Sequence, residues 1–159
     1  MVTTIRPYDP EDRTRVVELS LDAWAPVFES FKKILGQDLY ARVHPDWETD
    51  QAESVRDALD RNDTWVAVTD GTVTGFVNVV FDADDRSGEI YMIAVDPGAQ
   101  RQGIASRLTE RALDEMRSRG LDLAIVATGG DPGHMPARRT YEQAGFTGAP
   151  QVWFAKLLS

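Results

Sequence analysis

The chain has 159 residues, 42% apolar and 27% charged, with a formal charge of −9 and no cysteine. That length favours one domain, residues 1–159, and the composition excludes chain-wide disorder. No apolar run approaches the roughly 20 residues that span a bilayer, and no disulfide, cysteine nucleophile or thiolate metal site can form.

Residues 3–7 read as a short first strand. Asp9-Pro10-Glu11-Asp12 has the pattern of a helix start, with Asp9 as cap and Pro10 at the first helical position. Val16, Leu19, Ala23 and Trp24 give that helix one apolar face. Pro26 is expected to break it, with a second helical stretch following through Phe28, Phe31, Ile34 and Leu35 as far as Gly36. A third helix is expected over about 47–60, where Val55 and Leu59 share a face. Thr64 to Val68 is a strand by residue type, Asp70-Gly71 a hairpin signal, and Val73 to Phe81 the partner strand. After an acidic turn-rich loop, Glu89-Ile90-Tyr91-Met92-Ile93-Ala94-Val95 has the near-continuous apolar character of a strand covered on both faces. Ile104, Leu108, Ala112 and Met116 recur every fourth residue and mark a helix up to Gly120. Leu121 to Ala127 predicts another strand, Pro136 to Ala144 a short helix, and Val152 to Leu158 a closing strand.

The junction between Val95 and Gly103 carries the chemistry. Amides at a helix start lack intrahelical partners, and the helix dipole favours an anion there. Gly103 lets a phosphate approach the backbone, Ala105 keeps the next turn uncluttered, and Arg101 adds a cation at the rim. Alone, Gln100-Arg101-Gln102-Gly103-Ile104-Ala105 is also compatible with a plain strand-to-helix turn. Gly129-Gly130-Asp131-Pro132-Gly133 has the chemistry of a connecting loop instead of a phosphate cradle. With scattered basic residues and net negative charge, a nucleic-acid partner is not expected. Two histidines and no cysteine give little support for a metal site.

The order of these segments resembles the GNAT superfamily of N-acetyltransferases. The resemblance rests on Ile90–Val95, then Asp96-Pro97, then Gln100–Ala105 matching that family's Gln/Arg-x-x-Gly-x-Gly/Ala signature. Ala137-Arg138-Arg139-Thr140-Tyr141-Glu142-Gln143-Ala144-Gly145-Phe146 is similar to its second motif. The resemblance implies an α/β fold: a central mixed, mostly antiparallel twisted sheet flanked by helices, with a splayed strand pair holding CoA. It implies acetyl-CoA as cosubstrate and an amine acceptor. The pyrophosphate would lie on Gln100, Arg101, Gly103, Ile104, Ala105 and Ser106. The pantetheine arm would lie along Met92, Ile93 and Val95.

Three residues are candidates for proton transfer. Tyr141 matches the family's acid for the departing thiolate, although an aromatic there also suits packing. Glu89 stands where some members place a glutamate base. His134 replaces the usual Asn and is a second base candidate. Arg138 and Arg139 open the short helix, where either a CoA phosphate or solvent can take their charge, and Arg138 is included in the cofactor set. Trp24, Phe28, Phe31, Tyr40 and Trp47 are compatible with a hydrophobic amine as acceptor. Asp46, Glu48, Asp50, Asp82, Asp84 and Asp85 are equally compatible with a polyamine or basic peptide. A non-catalytic CoA-binding or protein-interaction module on the same fold is the alternative. A soluble cytoplasmic enzyme without a membrane partner is expected, and Val152-Trp153-Phe154 marks a possible homodimer interface.

Overall fold

The computed structural model describes residues 2–159. Its scaffold is a five-stranded sheet in which spatial order follows chain order. Strand β1 (Thr3–Pro7) pairs antiparallel with β2 (Asp63–Thr69). β2 pairs antiparallel with β3 (Thr72–Asp82), and β3 with β4 (Ser87–Val95). Only β5 (Leu123–Val126) runs parallel to its neighbour β4. The chain between β4 and β5 is helix α4 (Ile104–Ser118), the crossover that a parallel pair requires. This is the mixed, mostly antiparallel α/β architecture expected from the sequence.

Two apolar layers follow from the two-residue period of the strands. Trp65, Ala67, Val77, Val79 and Ile90 pack beneath Ile104, Leu108, Ala112 and Met116 of α4. Val66, Phe76 and Ala94, on alternating positions, pack on the opposite face. There they meet Val16 and Leu19 of α1 (Arg13–Leu35) and Val55 and Leu59 of α3 (Trp47–Arg61). The four-residue spacing read in α4 is therefore its buried stripe. Burying Leu108 completely contributes roughly 2–3 kcal/mol of transfer free energy. Gly75 sits where β3 passes under this helix, and a Cβ there would lie 3.0 Å from the Ala94 carbonyl oxygen and 3.1 Å from Leu108. Its missing side chain permits the close approach.

Two elements differ from expectation. Helix α1 continues unbroken through Pro26. Proline forfeits one backbone hydrogen bond and crowds the preceding turn, but Val27 immediately beyond it is buried, so packing carries the helix on to Leu35. A further short helix, α2 (Gln37–Val43), follows Gly36, whose φ of +80° makes the corner.

The second difference is the tail. Val152 to Leu158 forms no strand, and Val152, Phe154 and Leu158 are 78%, 92% and 91% exposed. Its bulky residues give it strand propensity, yet a strand exists only on a paired edge, and this segment pairs with none. No helix among the described residues is long and apolar enough to cross a membrane.

Candidate active site

The site begins with a register shift. Asn78 faces Met92 while Val79 faces Ile90, so Tyr91 is an extra residue on β4. A bulge of this kind bends its strand and ends regular pairing. The β4–β5 ladder runs from Ser87–Leu123 to Ile90–Val126 and stops there. Beyond it, β4 proceeds to Val95 without β5, and its Ile93, Ala94 and Val95 line a cleft of about 560 Å³.

The loop after β4 is held from both sides. Asp96 accepts a 2.8 Å hydrogen bond from the Gly98 amide and forms an ion pair with Arg15 of α1, which also donates to the Val73 carbonyl at 3.1 Å. The Gly98 amide and then Arg15 hold the Asp96 carboxyl below its ordinary value of 3.8. Gln100 donates to the Val95 carbonyl at 3.2 Å and so straps the loop to the end of β4. Arg101 and Gly103 both take left-handed backbone, with φ of +65° and +75°. For Arg101 that conformation costs roughly 1–2 kcal/mol, which the surrounding turn must offset. Gly103 adopts it without that penalty and forms the cap of α4, with open space where a Cβ would stand.

The first α4 bond that closes on this cap is from the Arg107 amide to the Gly103 carbonyl, at 3.1 Å. The amides of Ile104, Ala105 and Ser106 thus belong to the turn whose donors a helix leaves unpaired. Left-handed backbone at Arg101 and Gly103 ahead of that turn is the kind of conformation in which successive N–H groups make an anion nest.

Gln100, Arg101, Gly103, Ile104, Ala105 and Ser106 all line the cleft. Ile93 and Val95 line it from β4, whereas Met92 packs toward the α1–α3 layer. Arg138 departs from expectation. Its guanidinium donates to the carbonyls of Gly129 and Asp131, both at 2.7 Å, so it ties down the loop before α5 (Met135–Gln143). Arg139, one residue later and about 100° around the helix, borders the cleft instead.

Tyr141 and His134 meet the same cleft. Tyr141 is buried, its ring 5.9 Å from Phe146 in an edge contact, and burial alone pushes its phenol up to about 12. His134 closes a short turn, Pro132–His134, that Asp131 caps. Its Nδ1 lies 2.5 Å from an Asp131 carboxylate oxygen, and its ring lies 5.9 Å from that of Phe31 on α1. Glu89 is elsewhere. It pairs across the sheet with Val80 and Ile125, before the strands part, and is outside the cleft lining.

On the other wall stand Ala23, Trp24, Pro26 and Val27 of α1, all apolar. No carboxylate belongs to the lining among the described residues. Phe28, stacked on Trp47 at 4.4 Å, and Phe31, stacked on His44 at 5.5 Å, form an aromatic layer behind this wall. Among the described residues no group of three His, Asp or Glu is placed to hold a metal ion.

A mixed sheet parted at one point, with an anion nest at the mouth and a buried phenol inside, defines the acyltransferase architecture implied by the sequence motifs. Residues 28–146 match the acetyltransferase (GNAT) family, and the chain belongs to that family. Mycothiol acetyltransferase of Thermomonospora curvata is 32% identical over 145 residues, covering 91% of this chain and 44% of that protein. The chain spans less than half the length of the curated relatives it matches. A GNAT-family acetyltransferase from Desulfovibrio desulfuricans superposes with a TM-score of 0.68 at 22% identity, over 93% of this chain and 87% of that one. One from Brucella melitensis, solved in complex with acetyl-CoA, superposes with a TM-score of 0.62 at 20% identity, over 92% of this chain and 84% of that one.

The site suits that cosubstrate. The nest has the donors and the open space above Gly103 for a pyrophosphate, and β4 beyond the bulge lies along the cleft with its β5-side edge unpaired. Asp131 and Arg139 are absent from the cofactor and catalytic sets inferred from sequence. The Asp-x-x-His spacing of 131–134 was the available signal for the first; the second had none, because helical spacing places Arg138, three residues before Tyr141, on the face of that residue and Arg139 off it.

Proposed function

We propose that residues 1–159 act as one acetyl-CoA-dependent N-acetyltransferase domain, which transfers the acetyl group directly to a primary amine of a small molecule or peptide. The observation that carries this reading is that Tyr141 and His134 border the same cleft as the anion nest. When bound, acetyl-CoA supplies an activated thioester. The amides of Arg101, Gly103, Ile104, Ala105 and Ser106 would hold its pyrophosphate, with Arg139 adding charge. Met92, Ile93 and Val95 offer backbone groups to the pantetheine arm, as a sheet edge does to an added strand.

Within the cleft His134 takes the proton that the attacking amine must lose, and Tyr141 donates a hydrogen bond to the departing sulfur. His134 is preferred to Glu89 because it lines the cleft and Glu89 does not. The wall of Ala23, Trp24, Pro26 and Val27, without a carboxylate, supports a small apolar amine over a polyamine. The exposed Val152, Trp153 and Phe154 support a homodimer through the tail, which sedimentation velocity tests.

The decisive experiment measures thiol release from acetyl-CoA by purified protein across a panel of aliphatic, aromatic and polycationic amines. Amine-dependent release with apolar amines preferred supports the proposal. Saturable acetyl-CoA binding with no amine-dependent release supports the non-catalytic CoA-binding module instead.

A further inference from the structure

We infer that Asp131 is a positioning residue that locks His134 in the tautomer protonated on Nδ1, so that Nε2 is the basic nitrogen presented to the cleft. A carboxylate can only accept, so the 2.5 Å contact between His134 Nδ1 and Asp131 Oδ1 requires the hydrogen on Nδ1. A free neutral imidazole in water favours the other tautomer, which would place its hydrogen where a proton acceptor is needed. The partner of one ring nitrogen decides the role of the other.

Asp131 is built for this task from several directions. Its side chain is only 6% exposed. One carboxylate oxygen, Oδ2, accepts the Gly133 amide at 3.0 Å and so caps the turn, while Oδ1 is left for the imidazole. Its main-chain carbonyl accepts Arg138 at 2.7 Å, and the same guanidinium holds the Gly129 carbonyl. Ser30 of α1 approaches from the far side, 3.4 Å from the Gly133 amide. Burial pushes the Asp131 carboxyl up, but the hydrogen bonds from His134 and Ser30 outweigh it and hold the group below its ordinary 3.8. It therefore stays an acceptor at neutral pH.

A turn cap alone needs one oxygen. Here the second is committed to a histidine whose ring borders the cleft. His44 is the contrast: its Nε2 is buried with no hydrogen-bond partner, and its ring stacks on Phe31. The inference rests on the acetyl-transfer reading only for its use. When the amine attacks, its lone pair forms the new N–C bond, its N–H proton passes to Nε2, the thioester C–S bond breaks with its electron pair on the departing CoA thiolate beside the Tyr141 hydroxyl, and the resulting imidazolium keeps its Nδ1 hydrogen on Asp131. The Nε2 proton is later lost to solvent, which restores the neutral ring.

The test uses the full chain labelled with 15N-histidine. With two histidines, the imidazole spectrum has two spin systems, and His134→Gln assigns them. At the alkaline end of a pH titration, His134 should show the Nδ1-protonated tautomer. Asp131→Ser keeps a cap for the Gly133 amide but removes the Nδ1 acceptor. In that variant His134 should shift to the Nε2-protonated form, and kcat should fall about 100-fold, with KM for acetyl-CoA within twofold. An Nε2-protonated His134 in the wild type, or a tautomer and kcat unchanged in Asp131→Ser, overturns the inference. A wild-type Nδ1 tautomer that reverts in the variant, in a protein that transfers acetyl to no amine, upholds the locking by Asp131 and sinks the transferase reading.

Discussion

Replacing Tyr141 by phenylalanine removes one oxygen from a residue that is 6% exposed and leaves its edge contact with Phe146 intact. Burial raises the phenol, and the structure shows no hydrogen bond from its hydroxyl to another described residue. Stability should therefore change little, which isolates the chemical role. With its phenol pushed up to about 12 and an ordinary thiol near 8.5, full proton delivery from Tyr141 to the leaving sulfur runs uphill. Its contribution is instead a hydrogen bond that strengthens as negative charge develops on sulfur. Hydrogen bonds to charged groups are worth roughly 1.5–3 kcal/mol, which corresponds to about a 10- to 150-fold loss of kcat. KM for acetyl-CoA should move less than twofold, because the pyrophosphate nest is untouched. Steady-state thiol release with acetyl-CoA and amine varied independently measures both constants. A kcat within twofold of wild type in the folded variant would refute the assignment. Equal losses of kcat and acetyl-CoA affinity would show that the hydroxyl acts in binding instead.

Gly103→Ala has room for its methyl group but must hold φ near +75°, at a cost of roughly 1–2 kcal/mol. A melting temperature lower by about 2–8 °C and a raised KM for acetyl-CoA are expected, read by calorimetry and kinetics. Glu89→Gln should leave kcat within about threefold, since Glu89 lies outside the cleft; a larger loss would restore it as a base acting through water. In acid, four carboxyls held below 3.8 in the folded state set the direction: Asp12 by Arg6, the exposed Asp60 by Arg13, Asp96 by the Gly98 amide and then Arg15, and Asp131, which burial pushes up but the hydrogen bonds from His134 and Ser30 hold down. Their contribution is complete above the unfolded value and is lost as pH falls through the folded values. Circular dichroism against pH should thus show stability declining below about pH 4, and a flat profile to pH 2 would contradict these contacts.

What was legible in the sequence was whatever a local period or a local steric demand encodes. The four-residue spacing of Ile104, Leu108, Ala112 and Met116 is the buried stripe of α4, and Asp70-Gly71 does turn β2 into β3. Gly103 was readable because a left-handed residue at a helix start favours glycine. Features that depend on partners distant in sequence were not readable. The bulge at Tyr91 exists only as a mismatch with Asn78 and Val79 on another strand. Pro26 forfeits a hydrogen bond locally, yet the packing around Val27 overrides it. Val152 to Leu158 has strand chemistry without a paired edge. Arg138 and Arg139 are adjacent and chemically identical, and only the phase of α5 sends one to the loop carbonyls and the other to the cleft.

The same separation of local from distant applies to charge. A chain at −9 would repel a polyanionic cosubstrate if its mean field governed binding. At physiological ionic strength, however, exposed charges farther than about 8 Å are largely screened. In the proposed binding mode the backbone amides would act at hydrogen-bond distance, and the charged side chains in the cleft lining are Arg101, Arg139 and the titratable His134. Acidity of the outer surface and anion affinity of the cleft are therefore compatible. Screening also limits what that acidity can do for the acceptor. Asp46, Glu48, Asp50, Asp82, Asp84 and Asp85 do not line the cleft, so they can draw a cation toward the surface but cannot pair with one beside His134. In the proposed reaction, selection at the attacking nitrogen would fall to Trp24, Pro26 and Val27, which favour apolar surface and offer a second ammonium group no partner.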